Sequence, residues 1–239
     1  NTLFLQPILM ERYLGAAEKV IHEALPLKPR TEAQRKAVAK ILFVRPGGDV
    51  SDHQAASRVL DRFLPRAFRR PVPESTRERY VAAVLARRRS GSGFDRAIRE
   101  ILQAALVSPS FLMKAETPLT GDGPTAISDH DLASRLSYFL WATMPDERLT
   151  RLADQDTLDQ PDILDAEITR MLADPRAETL GTRFAGQWLG SVHLGTRIRA
   201  DPIDNPWCTE TLMAAMRAET AMFFVSLVRD NQPISRLID

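Results

Sequence analysis

Cysteine is almost absent from this chain of 239 residues, since Cys208 is the only one. A single cysteine excludes an intramolecular disulfide, a metal site built from several thiolates, and covalent haem attachment through a Cys-x-x-Cys-His motif. We interpret Cys208 as a small packing residue and not as a nucleophile. The cysteine content therefore excludes two classes of protein: disulfide-rich proteins, and proteins that bind a metal ion through several thiolates.

Net charge and long apolar runs are also lacking. The 32 Lys and Arg residues nearly balance the 31 Asp and Glu residues, which leaves a net charge of +1. Because recruitment of nucleic acid requires a large positive excess, we expect no nucleic-acid partner. No apolar run approaches the roughly 20 residues that span a bilayer, so we expect a soluble chain without a transmembrane segment.

Recognisable catalytic motifs are missing as well. The sequence has no glycine-rich phosphate loop, no His-Glu-x-x-His, no Gly-x-Ser-x-Gly and no EF-hand loop. The histidines stand singly, at His22, His53, His130 and His193. We interpret His130 as part of a solvated helix cap, and His193 as a weak candidate haem ligand that is better explained as a hydrogen-bonded loop residue. No catalytic or metal-binding residue is predicted.

What the chain does have is helical periodicity along most of its length. The spacing of Ile98, Ile101, Leu102 and Ala105, for example, places all four on one face of a helix. Alternation typical of a strand does not persist anywhere, and only residues 41–44 form a short run suited to a strand or an extended segment. We predict an all-α protein, a multi-helix bundle made of one or two packed helical subdomains.

The domain organisation follows from one break in composition. Residues 117–126 are rich in Gly, Pro, Thr and Asp, which is typical of a linker. We therefore predict an N-terminal helical region at residues 1–116 and a C-terminal helical domain at residues 127–239. Asn1 is not a start methionine, and the residues before Asp239 look like the opening of another helix. We expect a fragment of a longer polypeptide, with a truncated C-terminal domain.

The C-terminal half carries the clearest helix signals. Ser128 is placed to cap a helix whose third residue is Asp131, and Thr209 is placed to cap the last long helix. Helical spacing predicts that one core of this half contains six large apolar side chains: Leu136, Phe139, Leu140, Phe184, Trp188 and Phe223.

A basic cluster in the N-terminal half allows two interpretations. Arg66, Arg69 and Arg70 lie close together before Pro71. They could contact an anionic partner, but guanidinium groups also suit ion pairs and the carbonyls at helix ends. We favour the second interpretation and keep the three arginines as candidate interaction residues.

Five segments, in order, resemble one known family. They read LQPILMERYLGAAEKV, RFLPRAFRRPVPE, ILQAALVSPSFLMKAE, LASRLSYFLWATMPDERL and FAGQWLG. Together they are similar to the large planctomycete cytochrome-c-like proteins, which are built from several domains of unknown function. The likeness runs from the end of one such domain, through a second, into most of a third. Relatives often carry cysteines at the positions of Val44 and Ala55, and both are missing here.

The resemblance implies a setting more than a reaction. The resemblance implies that the protein is exported, for example to the periplasm. Many such proteins carry a separate haem c module. We therefore expect haem c in another module or in a partner, and we expect no cofactor in this chain. Partners would be other domains of the same polypeptide or subunits of a larger assembly. The expected function is a non-catalytic helical scaffold or interaction module. The alternative is one wall of an electron-transfer or enzyme site whose cofactor lies outside this chain.

Overall fold

The computed structural model describes residues 7–113, 126–201 and 203–238. Over these residues the prediction of an all-α fold is confirmed, since they form 11 α-helices and no β-strand. The chain divides into two compact units, an N-terminal unit at Asn1–Glu116 and a C-terminal unit at Thr117–Asp239. The predicted linker, residues 117–126, lies outside the described residues except for Ala126.

Six helices build the N-terminal unit. Their bounds are α1 Pro7–Ala24, α2 Glu32–Ile41, α3 Asp52–Phe68, α4 Glu74–Arg89, α5 Phe94–Leu106 and α6 Pro109–Leu112. Helix α3 packs against α4, α4 against α5, and α1 against α5. The predicted stripe of α5 is confirmed, because Ile98, Ile101, Leu102 and Ala105 are all buried. Residues 42–44 form no strand but an irregular segment that sends Leu42 into the core.

A buried arginine closes the first helix of this unit. The Arg99 side chain donates hydrogen bonds to the Leu25 carbonyl and, at 2.8 Å, to the Pro26 carbonyl, both just beyond the end of α1. Burial lowers the pKa of the Arg99 guanidinium. Since the last carbonyls of a helix have no partner within the helix, this contact ties α1 to α5.

The C-terminal unit contains the remaining helices. The α-helices are α7 Asp129–Trp141, α8 Glu147–Asp154, α9 Pro161–Ala173, α10 Gly186–Trp188 and α11 Glu210–Arg229. A π-helix at Leu180–Ala185 precedes α10, and short 3-10 turns lie at Pro175–Ala177, Ser191–His193 and Ile234–Leu237. Helix α7 packs against α8 and α9, while the π-helix packs along α11. The caps predicted at Ser128 and Thr209 are confirmed by their hydrogen bonds to the Asp131 and Leu212 amides.

Helix α11 is apolar over its whole length, although it contains no long uninterrupted apolar run. It has 20 residues with a mean hydropathy of 1.4, so its length and composition alone would allow it to cross a membrane. Core helices of soluble proteins can meet the same criterion. Here Ala221, Phe224 and Val225 pack within the C-terminal unit, whereas only 28% of the apolar stretch of α11 is buried.

The six-residue core predicted for this half is largely wrong. Leu140 is buried and Leu136 packs against the core, but four aromatic side chains are substantially exposed: Phe139 by 54%, Phe184 by 44%, Trp188 by 56% and Phe223 by 44%. After the first turn of α7, the buried positions are Ala133, Ser137 and Trp141, together with the correctly predicted Leu140. The inward face of α7 is therefore turned relative to the stripe that the large apolar residues suggested.

Candidate interaction surface of the C-terminal unit

Three exposed aromatic side chains lie side by side on the C-terminal unit, with the middle ring in contact with the other two. The ring centroids of Phe139 and Phe184 are 5.4 Å apart in an edge-to-face arrangement, and those of Phe184 and Trp188 are 6.0 Å apart and stacked. The buried ring of Phe224 lies 6.0 Å from Phe184 and 6.2 Å from Trp188. We call Phe139, Phe184 and Trp188 the aromatic surface, with Phe224 as its floor.

The π-helix explains why two of these rings face outward. In an α-helix, residues 180, 184 and 188 would share a face, but a π-helix places residues five apart on the same side. The buried pairs accordingly have that spacing: Leu180 with Ala185, and Gly181 with Gly186. The change of period turns Phe184 and Trp188 towards solvent, which α-helical spacing could not predict.

Gly181 permits the π-helix to approach α11 closely. A Cβ atom at this position would lie 2.4 Å from the Ala221 carbonyl oxygen and 2.8 Å from a methyl carbon of Val225. Such distances are not compatible with any side chain. The sequence therefore requires glycine here for close packing, and that packing brings Phe224 beneath the aromatic surface.

Helix α7 presents Phe139, and buried acidic groups hold the first turn of this helix in place. Asp129 and Asp131 are both buried, and an Asp129 carboxylate oxygen accepts a hydrogen bond of 2.7 Å from the Leu158 amide. His130 Nε2 lies 2.9 Å from a carboxylate oxygen of Asp154 at the end of α8. His130 does lie in the first turn of α7, as predicted, but its side chain is only 16% exposed and pairs with Asp154, so this cap is not solvated.

A network of ion pairs surrounds Trp141 at the other end of α7. Its indole N–H donates to the Met171 carbonyl at 2.9 Å, and the guanidinium carbons of Arg176 and Arg170 lie 3.6 Å and 5.3 Å from its ring centroid. Arg170 also donates to Asp146 at 2.9 Å and to the fully buried Glu167 at 2.7 Å. Cations over an indole face are attracted by its quadrupole, so the network fastens α7, α8 and α9 together.

The electrostatics of this network favour its ionised form. Burial raises the pKa of Asp146, but hydrogen bonds from the Leu149 amide and Arg170 outweigh it and hold that pKa below its usual value. Hydrogen bonds from the Arg176 side chain and amide lower the pKa of Asp174 to about 2. Both carboxylates therefore stay charged at neutral pH, opposite their arginines.

The loop that follows α10 is fastened to α11. Arg217 donates to the Leu194 carbonyl and, at 3.0 Å, to a carboxylate oxygen of Glu210. His193, the weak haem-ligand candidate, lies half-buried in a 3-10 turn, where its carbonyl accepts amide bonds from the residues that follow.

The basic cluster of the N-terminal unit has a structural use. Arg69, in a left-handed conformation at the end of α3, donates to the carbonyls of Ser110, Phe111 and Met113 at 3.0–3.3 Å. Its guanidinium thereby closes the C-terminus of α6. Arg66 and Arg70 also interact within the chain. Arg69 therefore contacts helix-end carbonyls, which is one of the two uses considered for the cluster.

One arrangement on the N-terminal unit superficially resembles a catalytic triad. Ser57 Oγ lies 3.5 Å from His53 Nδ1, and His53 Nε2 lies 3.2 Å from a carboxylate oxygen of Glu78. Ser57 is inside α3, where backbone amides are used by the helix and cannot form an oxyanion hole. Within residues 7–113, 126–201 and 203–238, no group of three His, Cys, Asp or Glu side chains could hold a metal ion. The aromatic surface is therefore the better candidate for a functional site.

The protein thus belongs, by fold, to the all-α class and presents an aromatic surface on its second unit. A family model described as "PSD5: Protein of unknown function (DUF1595)" matches residues 55–116, and one described as "PSD4: Protein of unknown function (DUF1592)" matches residues 127–239. Both families are typical of planctomycete cytochrome-c-like proteins. No curated protein matches the chain, and no solved structure does either.

Proposed function

We propose that this chain is a non-catalytic interaction module whose C-terminal unit binds another polypeptide through the aromatic surface. The observation that carries the proposal is the exposure of Phe139, Phe184 and Trp188, with the Phe184 ring in contact with both of the others. Contiguous apolar surface on a folded protein commonly marks an interaction site. Aromatic side chains are also enriched among the residues that dominate binding energy.

The support beneath the surface favours binding over incidental exposure. Phe184 and Trp188 both contact the buried ring of Phe224, so their positions are set before any partner arrives. Ordering side chains on association costs about 0.5–1.5 kcal/mol each, and a preorganised surface avoids much of that cost. Burying a large apolar side chain fully contributes about 1.5–3 kcal/mol, so three half-exposed rings can sustain measurable affinity.

The resemblance supplies the setting of the proposal. Matches to two families of unknown function that are typical of planctomycete cytochrome-c-like proteins support a module of a larger, exported, redox-associated protein or assembly. The partner would be another domain of the same polypeptide or another subunit. In this role the chain positions its neighbours and performs no chemistry itself.

Binding of defined amphipathic peptides tests the proposal. We expect a labelled helical peptide of about 16 residues, with Leu and Phe on one face and Gln on the other, to bind the chain with a Kd of roughly 10–100 µM. Fluorescence anisotropy measures the affinity. Combining Phe139→Ala with Trp188→Ala should weaken binding at least about tenfold, or roughly 1.4 kcal/mol, because it removes two of the three rings.

Phe43→Ala is the matched control for that experiment. Phe43 is 45% exposed on the N-terminal unit, where Arg62 lies over its ring, so its loss also removes an exposed aromatic side chain. The control should bind the peptide like the unaltered chain. Absence of binding to the unaltered chain, or equal binding by the double variant, would refute the proposed function.

A further inference from the structure

A groove separate from the aromatic surface lies beside α11. Its volume is about 630 Å³, which is within the range of binding sites in proteins, and none of the three rings lines it. The buried side chains of Ala221 and Val225 form its floor, and the exposed side chains of Ala218 and Met222 form its apolar rim. The groove is therefore an apolar site that the proposed function does not use.

The apolar surface continues from the groove along α11. Four exposed residues spaced by four form one row on this helix: Ala214, Ala218, Met222 and Ser226. The row is about 18 Å long at the rise of an α-helix. Only 28% of the apolar stretch of α11 is buried. Because rows of this spacing are those along which two helices pack, the shape fits a partner helix better than a small ligand.

The charged groups that line the groove have an acidic excess. Glu178 and Asp230 line it, and neither carboxylate has an ion-pair partner among the residues that the structure describes. The one cation in the described lining, Arg229, donates a hydrogen bond of 2.7 Å to the Leu172 carbonyl. Two carboxylates against one engaged guanidinium leave the lining negative.

The other charged side chains nearby do not cancel this excess. On α11, Glu210 and Arg217 pair with each other at 3.0 Å. Glu219 is exposed on the same helix and has no ion-pair partner within the part of the chain that the structure describes. Arg183, on the neighbouring π-helix, does not line the groove. The outward face of α11 therefore presents negative charge that no basic side chain of its own helix neutralises.

We propose that this groove and the exposed row of α11 dock a basic amphipathic helix of a partner polypeptide. Apolar side chains of the partner would enter the groove, while its lysines or arginines contact Glu178 and Asp230. Side chains of one helix insert between those of another in this way, and opposite charges across the contact raise association rates and exclude wrong partners. The proposal goes beyond the proposed function, because it assigns a second surface that needs no contribution from the aromatic one.

A second copy of the chain and an anionic membrane both fit this face less well. A two-fold symmetric contact would bring the same acidic patch of each copy together, and like charges across an interface are unfavourable. Anionic lipid headgroups attract basic segments, and here they would meet carboxylates. A basic helix is the occupant that the apolar groove and its acidic rim both favour.

The test uses the full chain with Phe139→Ala and Trp188→Ala, so that the aromatic surface does not contribute. Three labelled helical peptides share an apolar face of Leu, and their polar face carries Lys, Gln or Glu. At low salt, we expect the Lys peptide to bind about tenfold more tightly than the Gln peptide, and the Glu peptide to bind most weakly. The preference for Lys should largely disappear at about 0.5 M salt, where charges on the surface are screened.

Variants of the two carboxylates make the test specific. Adding Glu178→Gln and Asp230→Asn should remove the preference for Lys while leaving Gln-peptide binding intact, and that retained binding shows that the variant is folded. Asp159→Asn with Asp165→Asn removes the same charge from exposed positions of the C-terminal unit. This charge-matched control should keep the preference for Lys.

A variant of the groove itself locates the binding. Ala218→Arg places a long cationic side chain in the groove and should weaken binding of the Lys peptide at least about tenfold. Ala166→Arg adds the same side chain at an exposed position of α9 and should leave binding unchanged. Urea unfolding of both variants, followed by the fluorescence of Trp141 and Trp207, should match that of the parent chain, because both alanines are exposed.

Several results would overturn the inference. Equal affinity for the Lys and Gln peptides, or no binding of any peptide, removes the basic partner, as does a preference for Lys that survives the change of both carboxylates. Dimerisation of the chain that is lost in Ala218→Arg would assign the face to a second copy. Binding to phosphatidylcholine vesicles that is lost in the same variant would assign it to a lipid surface. None of these results bears on the aromatic surface, which is tested separately.

Discussion

Gly181→Ala is expected to destabilise the C-terminal unit by about 3 kcal/mol, at the upper end of the usual cost of overpacking. The added methyl group would lie 2.4 Å from the Ala221 carbonyl oxygen, so either the π-helix or α11 must move. Backbone cannot yield as the end of a flexible side chain can. Because the movement separates Phe224 from Phe184 and Trp188, peptide binding should weaken together with stability.

Urea unfolding followed by tryptophan fluorescence measures this effect selectively. All three tryptophans, Trp141, Trp188 and Trp207, lie in the C-terminal unit, so the signal reports that unit. Gly186→Ala is the matched control, since its added methyl group would come no closer than 3.7 Å to a neighbour. Alanine also favours a helix by about 0.5–1 kcal/mol over glycine. Equal stabilities for the two variants would show that the close approach is wrong.

Glu167→Gln should produce a loss of similar size, about 3 kcal/mol, at the lower end of the cost of breaking a buried ion pair. Glu167 is fully buried on α9, with Arg170 donating to it at 2.7 Å and Arg148 Nε 2.6 Å from its other oxygen. A neutral amide in that place would leave Arg170 with Asp146 as its remaining carboxylate partner and would remove the charge that faces Arg148. Arg148 is more than half exposed, so most of the cost arises from Arg170.

The matched control for Glu167 lies on the same helix. Asp165→Asn also removes one negative charge from α9, but Asp165 is exposed, so its replacement should change stability by less than about 0.5 kcal/mol. Thermal unfolding of the two variants, followed by tryptophan fluorescence, makes the comparison. If both variants unfold at the same temperature as the unaltered chain, the buried network does not stabilise the C-terminal unit.

Local signals in the sequence predicted much of the fold. A cap depends on a side chain and an amide three residues away, which is why Ser128 and Thr209 could be identified from residue spacing alone. The stripe of α5 likewise depends on a regular α-helical period, which α5 keeps throughout. Such features require no knowledge of how distant elements meet.

The aromatic surface could not be predicted because it depends on a change of helical period. The spacing of an unbroken α-helix would place Phe184 and Trp188 in the core, whereas the π-helix turns them outward. On α11 the close approach at Gly181 selects Phe224, not Phe223, as the inward ring. The one available hint was the pair Gly181 and Gly186, whose spacing of five residues suits a π-helix.

The Trp141 network was missed for a different reason. Its members come from α7, α8, α9 and the turn that follows, so only tertiary packing brings them together. They are Trp141, Asp146, Arg148, Glu167, Arg170, Asp174 and Arg176. Only the pair of Glu167 and Arg170, three residues apart on one helix, was readable from spacing. The full burial of Glu167 could not be inferred from that spacing.

The fluorine NMR spectrum of the chain labelled with 5-fluorotryptophan reports whether Trp188 is part of an exposed binding surface. It should contain three resonances, and the one lost in Trp188→Phe belongs to Trp188. If Trp188 is an exposed part of a binding surface, its resonance should respond to exchange of H2O for D2O and should move when the amphipathic Leu/Phe/Gln peptide is added, while the buried Trp141 does neither. A Trp188 resonance that is insensitive to solvent in the free chain, or unchanged when the peptide binds, would show that Trp188 is not part of a binding surface.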